Sequence, residues 1–300
     1  MKRKVIKQGK QAFTITLPVK WIRENKIDAN TELQVSENQK SLTISTDNAS
    51  VEQKTKVDLH ETDHLNVYRH LSSAYAKGID ELEIRTNEDL SKIIIKAVSQ
   101  LPGFALISQD KEKYVIKDFG IKGYENLDEI FKRVFQMVLS FFDSAIKDVF
   151  GKNEETLDGL RLRDREVNKF CLFLQRSINK QFYKNQNDGR ILFTYSYALE
   201  QIGDEIQRMW RTSIKHSPER SKEIKKMAEN SYEGLAKAFD NYYSFKPKNV
   251  EEIYRIREKV RKKSMEIKTR NQTTIRFIRH IVKIVEEAAD LSHLTIMRNI

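Results

Sequence analysis

The 300-residue chain contains a single cysteine, Cys171. One cysteine excludes an intrachain disulfide framework and fits a reducing compartment. It lies in the apolar run KFCLFLQ, which predicts an inert, packed thiol. No run approaches the roughly 20 consecutive apolar residues that a membrane-spanning helix needs. The first ten residues, MKRKVIKQGK, are basic but lead into no apolar stretch, so no secretory signal is expected. Together these absences predict a soluble, cytoplasmic protein with no stable membrane insertion. No phosphate-cradling glycine loop and no nucleophile–base pairing stands out, so no catalysis is expected. Helix breakers are also few. From Gly123 onward there are six glycines and only two prolines, Pro218 and Pro247.

Charge, by contrast, is abundant. Lysine and arginine number 54 against 43 aspartates and glutamates, a net charge of +11. Such an excess favours an anionic partner such as nucleic acid, although a solvated basic surface alone gives the same number. Apolar residues at 39% and charged residues at 32% allow a buried core beneath a heavily charged surface. The length suits two or three domains.

Residues 1–46 read as short strands around one helix. Ala12–Leu17 alternates in strand fashion, and Pro18 opens a helix of about two turns. Glu32–Val35 and Ser41–Ser45 are two further strands, joined by the hairpin loop SENQK. Residues 47–58 are polar and read as a connector. Residues 60–122 read as a small α/β unit. It has a helix over 63–77 ending at Gly78, a strand at Glu81–Arg85 and a second helix over 87–100 stopped by Pro102-Gly103. Two more strands, FALISQ and KYVIKDF, follow. From residue 123 to 300, apolar residues recur at helical spacing, as in Ile130, Val134, Met137, Val138 and Phe141.

This helical part repeats internally, over about 125–215 and 219–300. Phe142-Asp143 matches Phe239-Asp240, and Asp164-Arg165-Glu166-Val167 aligns with Arg257-Glu258-Lys259-Val260. Two tandem three-helix bundles follow from the pattern. The third helix of each copy carries Glu-x-x-x-Asp: Glu200 with Asp204, and Glu286 with Asp290. Residues four apart share one helix face, so each motif sets two negative charges side by side. Paired carboxylates converging in a helical bundle suit hard or borderline cations, and Asp164 on the preceding helix offers a further oxygen. His293, three residues beyond Asp290, is another available ligand. Ordinary ion pairs offer a simpler account: Asp204 with Arg208, and Lys283 with Glu286 or Glu287.

The segment LEQIGD resembles the LERIGD signature of PhoU-like phosphate uptake regulators, found once in each of their two three-helix repeats. Asp164-x-x-Val167-Asn168 resembles an upstream element of the same family. The likeness covers about residues 123–300. It implies metal-binding sites for iron, zinc or similar ions, with Asp164, Glu200, Asp204, Glu286 and Asp290 as candidate ligands. It also implies a role in phosphate homeostasis, with a phosphate ABC transporter and a sensor kinase as partners. The second copy departs from the pattern. Arg257 replaces the aspartate and Ala288-Ala289 replace Ile-Gly, so a weaker site, or an internal ion pair with Arg257, is expected there.

Residues 1–46 resemble the AbrB/SpoVT-type swapped-hairpin DNA-binding domain. The likeness rests on Leu-Pro, the Trp-Ile-Arg helix, and Asn30-Thr31 where that family has Gly-Asp. Asn at this place tolerates the left-handed conformation. The resemblance implies an interlocked homodimer that binds DNA. About 45 residues hardly build a core alone, which agrees. Lys2, Arg3, Lys4, Lys7 and Lys10 put five positive charges in ten residues with no acid, and Lys20 and Arg23 follow on the helix. These seven are the candidate DNA-binding residues, chiefly for phosphates.

Two further patterns stand in the chain. His60-Glu61-Thr62-Asp63-His64 is literally His-Glu-x-x-His, a zinc-hydrolase pattern. Thr62 and Asp63 are helix-capping types, however, and a helix starting at Asp63 leaves His60 outside it. The basic run Arg255–Lys263 suits acidic lipids or a partner, or a solvated helix face. The expectation is therefore a multidomain, mainly α regulator of phosphate uptake. It has a DNA-binding β domain, an α/β unit of unassigned role, and a metal-binding helical part. The alternative is a metal- or partner-binding scaffold of phosphate transport signalling that binds no DNA.

Overall fold

The computed structural model describes residues 1–38, 41–46, 52–60, 62–110, 112–120, 127–180 and 186–300. The chain divides into two compact units, Met1–Val51 and Glu52–Ile300.

In the first unit, strands β1 (Ile6–Gln8) and β2 (Ala12–Thr14) form an antiparallel pair turning at Gly9, whose φ of +71° suits glycine. Helix α1 (Val19–Glu24) starts after Pro18, which takes the N-cap position. Asp28 then orders the following turn, accepting from the Asn30 amide and the Thr31 hydroxyl, both at 2.9 Å. Asn30 is not among the residues with positive φ. The Asp28 turn supplies the bend that a left-handed residue was expected to make. Strands β3 (Leu33–Asn38) and β4 (Ser41–Thr46) pair antiparallel from Leu33↔Thr46 to Asn38↔Ser41. The hairpin loop is thus shorter than SENQK, and its residues 39 and 40 lie outside the described residues. None of the described side chains of this unit is buried. Val5, Phe13, Val35 and Leu42 are all more than half exposed.

The second unit begins with a strand where a connector was expected. β5 (Lys54–Asp58) lies parallel to β6 (Glu81–Arg85), joined by α2 (His64–Lys77). Its sequence KTKVD is polar because it sits at the sheet edge and turns its lysines to water. Helix α3 (Ser91–Val98), shorter than the expected 87–100, leads to β7 (Phe104–Asp110) and β8 (Lys113–Asp118). The sheet order is β5-β6-β8-β7, with β8 antiparallel to both neighbours. Leu82, Ile84 and Ile116 point into a core completed by Val67, Leu71 and Tyr75 of α2 and Ile94 of α3. The opposite face is a ladder of charge. Glu83 meets Lys56, Arg85 and Lys113, which hold its carboxyl down at about pH 2. One face buried and one solvated is the usual economy of a largely antiparallel sheet.

Helix α2 is well delimited. Asp63 caps it by accepting from the Asn66 amide at 2.7 Å, and Gly78 ends it with φ +94°.

Among the described residues six long helices follow: α4 (Leu127–Val149), α5 (Leu157–Lys180), α6 (Gln186–His216), α7 (Lys222–Tyr243), α8 (Pro247–Glu266) and α9 (Gln272–Asn299). In chain order they make two runs of three, α4–α6 and α7–α9. The spacing put one break near 184–190, but residues 186–190 already belong to α6, and residues 181–185 lie outside the described residues. The two sets do not keep separate cores. One apolar cluster runs through both, with α6 packed on α9 and α4 on α7. Phe131, Tyr195 and Tyr242, from α4, α6 and α7, meet with ring centres 4.5–5.3 Å apart. Cys171 is fully buried there, and its thiol is pushed up by burial.

The α/β layer is bolted to the helices by Arg176 of α5. Its guanidinium, almost fully buried, donates to the carbonyls of Tyr75 (2.9 Å) and Ile79 (2.8 Å) at the end of α2. It also pairs with Asp80 (3.1 Å) and Asp118 (2.6 Å) and lies over the rings of Tyr75 and Phe104. Lys180 joins the same two carboxylates. Removing the guanidinium leaves two largely buried aspartates with Lys180 as the remaining cation and one backbone amide each, from Gln53 and Gly120. The Arg176→Met variant is therefore expected to lose on the order of 3 kcal/mol in urea denaturation. Adding Asp80→Asn and Asp118→Asn should recover part of that loss. A loss below about 0.5 kcal/mol would show that the guanidinium does not hold the layer.

Candidate functional site

The first carboxylate motif forms where α5 passes close to α6. Gly203 permits the approach: a Cβ there would stand 3.2 Å from a methyl of Val167. This contact sets Asp164, one turn before Val167, among the charges of Glu200 and Asp204. The second copy has Val260 and Ala289 at the matching places, both buried.

Burial and the neighbouring Asp204 and Glu200 push the Asp164 carboxyl up to about 7. Glu200 is raised by burial and by Asp204, and Asp204 is raised by burial against the pull of Arg208. Like charges crowded in a partly dry place resist ionisation. Two acceptors in the cluster have no donor: Oδ1 of Asp164 and Oδ1 of Asn168, one turn apart on α5. Arg208 answers from the other side, meeting Asp204 and Glu205 at 2.6 Å each. Glu205 in turn meets Nδ1 of His280 on α9 at 2.7 Å. The i,i+4 pair of Asp204 with Arg208, read from spacing as the simpler account, is present.

Part of this site comes from the α/β layer. Burial raises the phenol of Tyr68 on α2, and the charges of Glu200 and Asp164 add to the shift. Sequence spacing gives no hint of Tyr68, which joins the site only because α2 lies along α5. Asn168 carries a faint signal, four residues beyond Asp164 on the same face.

Oxygen acceptors without donors, beside carboxylates of raised pKa, have the chemistry a hard cation takes. They do not make a preassembled ligand set. Among the described residues, no three His, Cys, Asp or Glu side chains converge closely enough to hold a metal ion.

The second copy is organised differently. Glu286 pairs with Arg261 at 3.4 Å. Arg257, the expected partner, instead meets Glu258 at 2.8 Å and stacks on Tyr254. Arg261 stands one turn further along α8, so the substitution pattern is right in charge but displaced by a turn. Lys283 pairs with Glu287 at 2.6 Å. Asp290 is exposed, and His293 is engaged by the Tyr254 hydroxyl at 2.8 Å.

The seven basic candidates of the first unit, Lys2, Arg3, Lys4, Lys7, Lys10, Lys20 and Arg23, are all exposed. Lys20 and Arg23 share a face of α1, with Lys20 3.8 Å from Glu24. Of the His-Glu-x-x-His run, His60 precedes the cap of α2 and meets Asn87 at 3.1 Å, and His64 is the first helical residue. They share no helix face. Glu61 lies outside the described residues.

The raised Asp164 carboxyl has a consequence for stability. The folded chain holds this proton to about pH 7, whereas an unfolded aspartate releases it near 3.8. Stability through this group is therefore lost as pH rises from about 4 to 7 and is flat above. Asp164→Asn should melt higher than the parent at pH 8 in the presence of EDTA. The gain is on the order of 1 kcal/mol, or about 2–4 °C. The two should differ little at pH 4. An unchanged difference between pH 4 and 8 would refute the raised carboxyl.

No protein-family model matches the chain, and no curated protein matches it.

Proposed function

We propose that this chain is a DNA-binding regulator linked to phosphate uptake. In this reading it acts as a homodimer formed through residues 1–46, with a cation-responsive helical part. The observation that carries the reading is the first unit. It has regular strands and a helix, yet no buried side chain among the described residues, and it exposes Phe13, Val35 and Leu42. A ~45-residue segment of this kind gains a core by pairing with another copy. The same unit carries five positive charges and no acid in its first ten residues. Doubling it gives two basic faces for successive stretches of phosphate backbone.

The helical part supports the second half of the reading through its repeat and its carboxylates. A hard or borderline cation would be held by Asp164, Glu200 and Asp204 with Asn168, and would supply positive charge where acceptors lack donors. Arg208 would then have to yield Asp204. Glu286 and Asp290 would bind more weakly, because Arg261 already neutralises Glu286. A phosphate ABC transporter and a sensor kinase belong to this reading as partners.

Light scattering should give a dimer mass for the full chain. Phe13→Asp should yield monomer or loss of the N-terminal fold by circular dichroism. A wild-type monomer would defeat the dimer. Binding to a DNA fragment from the protein's own upstream region should weaken steeply with salt. Lys7→Ala should lower the salt slope by about 2 per dimer, one for each lost phosphate contact. A dimer without salt-dependent DNA binding would instead favour the non-DNA-binding scaffold.

Elemental analysis of natively purified protein should find bound metal, and Glu200→Gln with Asp204→Asn should at least halve it. A metal-free parent would leave the Arg208 ion pairs as the whole account of the site.

A further inference from the structure

A groove of about 480 Å³ runs between α7 and α8, lined by Lys222, Lys226, Lys259, Lys262 and Lys263. The volume falls in the range of small-molecule sites. Met227, buried, contributes to its wall. The carboxylates lining it, Glu223 and Glu266, leave an excess of three positive charges. Lys226 is taken up by Glu229 at 3.4 Å and Lys263 by Glu266 at 3.2 Å. Lys259 and Lys262 join no ion pair among the described residues, while Lys222 and Lys263 help hold down the carboxyl of Glu223.

Gathering like charges on two facing helices is unfavourable unless an anion offsets them. One end of the groove adds to the attraction. Lys222 is the first residue of α7, whose dipole favours negative charge at that end, where Ser221 caps the Ile224 amide and Glu223 stands in the first turn. At the place of Lys259 the first copy has Glu166, and at the place of Lys262 it has Lys169. Lysines act as point charges for phosphate oxygens and impose no planar geometry. Lys222–Lys226 and Lys259–Lys263 each extend about 6 Å along their helices, further than one tetrahedral anion reaches.

We propose that this groove binds a small anion carrying several linked phosphates. Its source is either an inorganic condensed phosphate or the tail of a nucleotide. The site is independent of the DNA reading and of the carboxylates on α5 and α6.

The test is isothermal titration calorimetry on the full-length chain, without DNA, using sodium tripolyphosphate and magnesium-free ATP in about 150 mM salt. Saturable binding of one ligand per chain is expected. Lys259→Gln with Lys262→Gln should weaken it at least about 10-fold, ~1.4 kcal/mol. Lys248→Gln with Arg255→Gln removes the same charge from α8 outside the groove lining and should change affinity less than about 2-fold. Tighter tripolyphosphate binding identifies an inorganic chain, and tighter ATP binding a nucleotide. Three results would overturn the proposal. The first is no saturable binding of either ligand up to about 5 mM. The second is equal loss in both double variants, which means a diffuse field. The third is competition by a polyglutamate peptide as strong as by tripolyphosphate, which means an acidic protein partner.

Discussion

The arrangement of the larger unit rests on one buried guanidinium. Arg176 reaches from α5 into the end of α2, where it meets two carbonyls and two aspartates from three separate segments. A helix C-terminus leaves carbonyls without donors, and here a side chain from another layer supplies them. A buried cation adds little net stability compared with an apolar replacement, because desolvation offsets much of the attraction. What it adds is position. The guanidinium is satisfied only when α2, β8 and α5 stand in one relation, since Asp80 follows α2 and Asp118 ends β8. Asn179 extends the same hold, donating to the Ala76 carbonyl at 2.7 Å.

Charge compensation also distinguishes the two helical repeats. In the first copy three carboxylates crowd together, and Arg208 serves Asp204 and Glu205 from the helix's own next turn. Asp164 is left to be quieted by protonation near neutrality. In the second set of three helices Arg261 of α8 crosses to Glu286, so the carboxylate there has a cation partner that Asp164 lacks.

Much of this was legible in the chain, and the limits are physical. The six long helices follow from apolar spacing and scarce breakers, and Asp63 and Gly78 mark the ends of α2 by their own chemistry. The Asp204–Arg208 pair follows from four-residue spacing. β5 escaped because an edge strand with one solvated face needs few apolar residues, and KTKVD offers one. Arg176 escaped because a lone arginine in a helix reads as surface; its burial depends on acceptors nearly a hundred residues away. Tyr68 escaped for the same reason. Local pattern fixes where helices begin and end, while the partners of a buried polar group are set by tertiary packing.

These contacts share two helices. α5 carries Asp164 near its start and Arg176 near its end. α2 brings Tyr68 to the first and Tyr75 to the second. The α2–α5 seam is thus anchored at one end by a satisfied cation and bordered at the other by carboxylates with unfilled acceptors.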